Sequence, residues 1–228
     1  MPDAIDTDPE KALFKLDFEF CQTGWPVQDL EVLARNITCR RGDRLLLSEL
    51  SFSARSGECL VFTGGNGIGK STLLQHLAGI LQLHTGTLSV PAGQSVFLGH
   101  ENGLKNALTV IDNLRFWAGI FEQYEIDSIS REFDVLHLHD FRTGLLSSGQ
   151  LRRVALASVA VSKRKIWLLD EPTSGLGADS VELFTQAAAR HCGTGGIIVA
   201  STHARFQGMD CHYLDLAEFV PELRGGPV

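Results

Sequence analysis

One octapeptide limits what this chain can fold into more than any other feature. Residues 64–71 read Gly64-Gly65-Asn66-Gly67-Ile68-Gly69-Lys70-Ser71 and satisfy G-x-x-x-x-G-K-[ST]. Backbone N–H groups can meet several phosphate oxygens at once only where the chain curls tightly. Glycines supply the positive φ angles and close approach of such a curl. A helix that follows presents its unpaired N–H groups and partial positive charge to the same anion. Lys70 then reaches the β and γ phosphates, and the Ser71 hydroxyl is a magnesium ligand. The flanks agree. Residues 59–62 form a short apolar run, the pattern of a buried parallel strand. Residues 71–81 carry Leu73, Leu74, Leu77 and Ile80 at helical spacing. The stretch from Gly64 to Thr72 therefore reads as a nucleoside triphosphate site.

Composition narrows the setting. The 228 residues are 44% apolar and 21% charged, enough for a sizeable core and too little charge for a disordered chain. Twenty basic against 27 acidic side chains leave a net charge of −7, which argues against a general nucleic-acid binder. The longest segment without Asp, Glu, Lys or Arg, residues 71–100, is interrupted by Gln75, His76, Gln82, His84, Gly86 and Pro91, groups that hydrocarbon would not tolerate. The acidic N-terminus has no basic region followed by an apolar run, so no secretory signal is read. The expectation is a soluble, cytosolic chain. Cys21, Cys39, Cys59, Cys192 and Cys211 are odd in number, widely spaced and without a Cys-x-x-Cys pair, so free thiols are expected.

Residues 1–28 mix acidic residues with Phe14, Phe18, Phe20 and Trp25 and are read as an N-terminal extension of unknown role; residues 29–228 form the main domain. From residue 29 strands and helices alternate. Leu50, Phe52 and Ala54 have the period of a half-buried strand, and residues 95–98, 166–169 and 196–200 are short apolar runs. Thr109 and Asp112 resemble an N-cap pair, with Val110, Leu114, Trp117 and Phe121 marking one helical face; residues 150–162 are again helical. This alternation implies an α/β fold with a mostly parallel core sheet, an antiparallel β part and a helical subdomain at about 105–162.

Ile166-Trp167-Leu168-Leu169-Asp170-Glu171 is an apolar strand ending in two carboxylates. Such a strand beside the phosphate loop places Asp170 where it holds Mg²⁺ through water, and gives Glu171 the role of general base. The bland alternative, carboxylates capping the turn at Pro172-Thr173-Ser174-Gly175, stays open.

The ordered set of motifs resembles the ABC-type ATPases: phosphate loop, then Leu146-Ser147-Ser148-Gly149-Gln150, then a strand ending Asp170-Glu171-Pro172-Thr173, then a strand running into Ala200-Ser201-Thr202-His203. The resemblance spans about residues 30–213. It implies a homodimer in which each ATP lies between one subunit's phosphate loop and the other's pentapeptide, Ser147, Ser148, Gly149 and Gln150. It also gives His203 the γ-phosphate and the alignment of water. Four departures stand out. His100 replaces a glutamine that helps hold Mg²⁺, and its protonation would repel a cation. Ser148 replaces a glycine, Gly177 an aspartate. Arg41 lies where relatives stack a tyrosine on adenine, and either stacks itself or is a surface arginine.

Leu98-Gly99-His100 and the run from Gly103 through Trp117 are similar to the haem-exporter ATPases of cytochrome c maturation, the CcmA family. That resemblance implies ATP hydrolysis that powers haem export or release. Its partners would be integral membrane permease subunits of CcmB, CcmC and CcmD type, met at the cytoplasmic face of the bacterial inner membrane. Haem itself is not expected to bind, since Cys-x-x-Cys-His is missing and His137 and His139 read as a solvated helix end. Phe116, Trp117, Ile120 and Phe121 either pack in the core, which helical spacing favours, or face such a partner. The alternatives are a soluble ABC ATPase of iron–sulfur assembly type, the ATPase of another small ABC exporter, or a non-hydrolysing nucleotide switch, which Ser148 and Gly177 suggest.

Overall fold

The computed structural model describes residues 30–120, 125–203 and 205–221. The extension at residues 1–28, with Cys21, lies outside them, as does Phe121. The strands are β1 (Glu31–Arg41), β2 (Arg44–Arg55), β3 (Cys59–Thr63), β4 (Thr85–Ser89), β5 (Ser95–Leu98), β6 (Ile166–Asp170), β7 (Ile197–Ser201) and β8 (His212–Asp215). The α-helices are α1 (Lys70–Leu77), α2 (Val110–Ile120), α3 (Ile126–Glu132), α4 (Ser148–Val161) and α5 (Ala178–Gly193).

Two sheets result. β2, β1 and β4 form an antiparallel sheet with β1 central, and β5-β6-β7-β3-β8 is parallel wherever its strands pair. In the parallel sheet successive side chains point to opposite faces, and both faces are buried. Leu60, Phe62, Ile166, Leu168, Ile197 and Val199 meet α1 and the antiparallel sheet in one core. Cys59, Val61, Trp167, Leu169, Ile198 and Ala200 meet residues of α2, α4 and α5 in the other. Their continuous apolar sequences follow from this double burial.

β7 lies between the phosphate-loop strand and the strand bearing Asp170, and Phe62, Ser201 and Asp170 stand level across β3, β7 and β6. Two expectations are corrected. The helix after the loop ends at Leu77 rather than Leu81, because Gly79 takes φ +70 and turns the chain; Ile80 is left 59% exposed. On α2, Val110 and Leu114 are buried, but Phe116 and Ile120 are 42% and 52% exposed, so they are surface rather than core. Thr109 caps α2 as its residue type demands, accepting from the Asp112 N–H and donating to the Asp112 carboxylate. The described cysteines are free thiols; burial pushes Cys39 up to about 12. No helix among the described residues is long and apolar enough to cross a membrane.

Candidate functional site

β3 ends at Thr63, and the chain curls through Gly64, Gly67 and Gly69, at φ +130, +75 and +125, before α1 begins at Lys70. Gly69 has a second reason to lack a side chain. A Cβ there would lie 3.3 Å from Leu46 Cβ and Leu47 Cδ1, where the curl crosses β2. Lys70 is 7% exposed, and its ammonium donates to the carbonyls of Gly64 (2.8 Å) and Gly65 (3.3 Å). It also lies 3.3 Å from His203 Nε2. The loop opens on a cleft of about 510 Å³ lined by Arg41, Arg44, Lys70, Ser71, Glu171 and His203, among others. Three fixed cations against one carboxylate make it a local anion site in a chain of net charge −7.

Glu171 and His203 enter from the C-terminal ends of β6 and β7. Asp170 is buried, and its Oδ1 accepts from Ser201 Oγ at 2.6 Å. The Glu171 N–H donates to both the carbonyl and the hydroxyl of Ser201. Glu171 Oε1 approaches His203 Nε2 at 3.3 Å yet has no hydrogen-bond donor among the described residues. The chemistry accounts for this. An ammonium can only donate, so Nε2 accepts from Lys70 and has no proton left for the carboxylate. The result is a buried carboxylate oxygen with unused acceptor capacity 3.3 Å from the His203 ring, on a side chain that is 22% exposed.

Behind Glu171 lies Arg152, a residue the sequence did not single out. Its guanidinium donates to the carbonyls of Gly99, Asp170, Glu171 and Pro172 and to Asn102 Oδ1. Burial lowers its pKa, while the charges of Asp170 and Glu171 oppose that shift.

Residues 47–174 match the ABC transporter family. The cytochrome c biogenesis ATP-binding export protein CcmA of Rhizobium meliloti is 38% identical over 212 residues, covering 84% of this chain and all of that protein. Its namesake in Paracoccus denitrificans is 40% identical over 191 residues, covering 83% of this chain and 91% of that one. The chain belongs to the ABC transporter ATPases, of the CcmA type. Among solved structures, an ABC transporter ATP-binding protein from Pyrococcus furiosus superposes with a TM-score of 0.75 at 25% identity, covering 84% of this chain and all of that one. cbiO1 from Clostridium perfringens, part of the ABC transporter complex cbiONQ, gives 0.64 at 28%, covering 78% and 80%.

Within this ABC ATPase the cleft gathers Arg41, Asn66, Gly67, Gly69, Lys70, Ser71, Thr72, His100, Glu171 and His203 from five separate stretches of sequence. Gly64 and Gly65 contribute the carbonyls that hold Lys70, and Ile68 packs its side chain against Gly64. Asp170 lies behind the cleft wall. Ser147, Ser148, Gly149 and Gln150 do not line the cleft; they form the N-terminus of α4, which starts at Ser148 rather than near Gln150. Ser147 Oγ accepts from the Gln150 N–H and Gln150 Oε1 from the Ser147 N–H, a capping box that also shapes the pentapeptide. Gly149 packs against the carbonyl of Gly175, 3.1 Å from where a Cβ would stand.

Arg44, Leu46, Ser174 and Ser201 were missed with Arg152. The signal for Arg44 lay in the hairpin: it pairs with Arg41 across the β1–β2 turn, and both residues line the cleft.

Proposed function

We propose that this ABC ATPase powers the export step of cytochrome c biogenesis, with haem as the cargo handled by its membrane partners. The reading rests on one observation above the others. The half-buried Glu171 carboxylate stands 3.3 Å from His203, which in turn meets Lys70, in a cationic cleft of about 510 Å³. Lys70 and the loop N–H groups bind the triphosphate, and Arg41 and Arg44 line the same cleft. The Glu171 carboxylate takes the proton from the attacking water, which His203 aligns against the γ-phosphate.

The residues suit magnesium. Among the described residues no group of three or more His, Cys, Asp or Glu could hold a metal alone. Mg²⁺ characteristically uses one or two protein oxygens plus substrate phosphates and water; the Ser71 hydroxyl in the cleft would be the direct protein ligand, and Asp170, buried behind the cleft wall, would hold the ion through water. When bound, the ion would neutralise charge developing on the phosphates.

The pentapeptide lies outside its own cleft, which supports a head-to-tail homodimer in which the α4 N-terminus meets the partner's γ-phosphate. Phe116 and Ile120, exposed one turn apart on α2 in the helical subdomain at about 105–162, are apolar surface for permease subunits of CcmB, CcmC and CcmD type to cover. Assembly with them holds the chain at the cytoplasmic face of the inner membrane. The test is recovery of a tagged chain from its native cells. Integral membrane subunits are expected in the eluate, with phosphate release on adding ATP. A stable complex with cytosolic scaffold proteins instead would overturn the assignment.

A further inference from the structure

Arg152 stands two residues beyond Gln150 on α4 and is 4% exposed. Its five N–H donors meet five acceptors, a full match to the planar fork. Two of these acceptors, the Gly99 carbonyl and Asn102 Oδ1, flank His100. The other three are consecutive carbonyls, Asp170 (2.5 Å), Glu171 (2.9 Å) and Pro172 (3.2 Å).

The middle one matters most. Glu171 has φ +49, a left-handed conformation that a non-glycine residue adopts only when its surroundings impose it. Its N–H is held by Ser201 and its carbonyl by Arg152, so the peptide units on both sides are pinned and the carboxylate is aimed at His203. An apolar side chain could fill the same space without the desolvation cost of a buried cation. It could not hold two loops by five acceptors.

We propose that Arg152 is a positioning residue for hydrolysis. It fixes the left-handed backbone of Glu171 and ties that segment to the loop bearing His100 and to the pentapeptide helix. The proposal rests on the reading of Glu171 as the base.

The test uses the full chain with magnesium and ATP, counting nucleotide sites by titration so that turnover is expressed per competent site. Arg152→Lys keeps the charge and loses the fork. Its kcat should fall about ten-fold, with the KM for ATP within about two-fold of the parent. Asn102→Ala removes a single arm and threatens folding least; its kcat should fall about three-fold, again at nearly constant KM. In the double variant His100→Ala with Arg152→Lys, the loss should be smaller than the product of the single losses, as expected of residues in one network. A merely structural arginine would lower the melting temperature and leave kcat per site unchanged in both variants, and that result overturns the proposal. Strictly multiplicative losses overturn the tie to His100. Glu171→Gln separates the two readings. If it hydrolyses at the parent rate, the assignment of the base fails and the proposal with it. If it is inactive while Arg152→Lys turns over normally, the positioning role alone is wrong.

Discussion

At the scale of single residues, the proposed function assigns binding to Lys70 and chemistry to Glu171, both of which line one cleft. Lys70 is held by the carbonyls of its own loop, so its charge is already in place for phosphate. Lys70→Ala should weaken ATP binding about 10- to 100-fold, the worth of charge-assisted hydrogen bonds, as read by equilibrium titration. Glu171→Gln keeps the shape and removes the proton acceptor. Its dissociation constant for ATP should stay within about three-fold while phosphate release falls at least about 100-fold. Equal hydrolysis by either variant and the parent would show that these roles are misassigned. The type of each residue was legible in the sequence, because a phosphate loop demands Lys and a water-activating site demands a carboxylate. The orphaned Oε1 was not, since it depends on how Lys70 and His203, 133 positions apart, share one nitrogen.

Among the elements, α4 and the β1–β4 pairing carry the sharpest local constraints. The capping box at Ser147 satisfies two N–H groups at the start of α4. Ser147→Ala should cost about 1 kcal/mol in a urea melt and lower turnover further, because the same turn presents the pentapeptide. A melt unchanged from the parent would mean that the helix start is held by something else. Gly86 on β4 has φ +85, and a Cβ there would sit 2.4 Å from the Asn36 carbonyl oxygen of β1. Gly86→Ala should cost on the order of 2–3 kcal/mol by parting β1 from β4, seen as a lower urea midpoint at unchanged slope. Helix and strand types followed from periodicity, but their ends did not. The stop at Leu77 came from a glycine that spacing alone had run past.

For the whole molecule, pH reports on how α5 is packed onto the parallel sheet. His191 of α5 stacks on Trp167 of β6 with ring centroids 3.9 Å apart, and its Nε2–H donates to the Lys165 carbonyl. Burial, first among the causes, lowers its pKa from 6.5 to about 4. The unfolded chain therefore binds the proton first. Stability from the neutral ring is fully present above pH 6.5 and is lost as pH falls from 6.5 towards 4, by on the order of 2 kcal/mol after allowing for partial exposure. His191→Phe should flatten that part of the profile in urea melts at pH 7, 5.5 and 4. An unchanged difference between parent and variant across this range would exclude the ring as the cause. The sequence by itself determined the phosphate loop, the buried strands and the order of the motifs, because a backbone curl, an apolar run and a cap are short-range demands on consecutive residues. Tertiary structure alone decided that β7 separates the strand of Asp170 from the strand that precedes the loop, that Phe116 and Ile120 face outward, and that of two adjacent arginines Arg152 is the one turned onto the backbone of Glu171. Each of those outcomes depends on which distant segments come to lie side by side, and local spacing does not encode that.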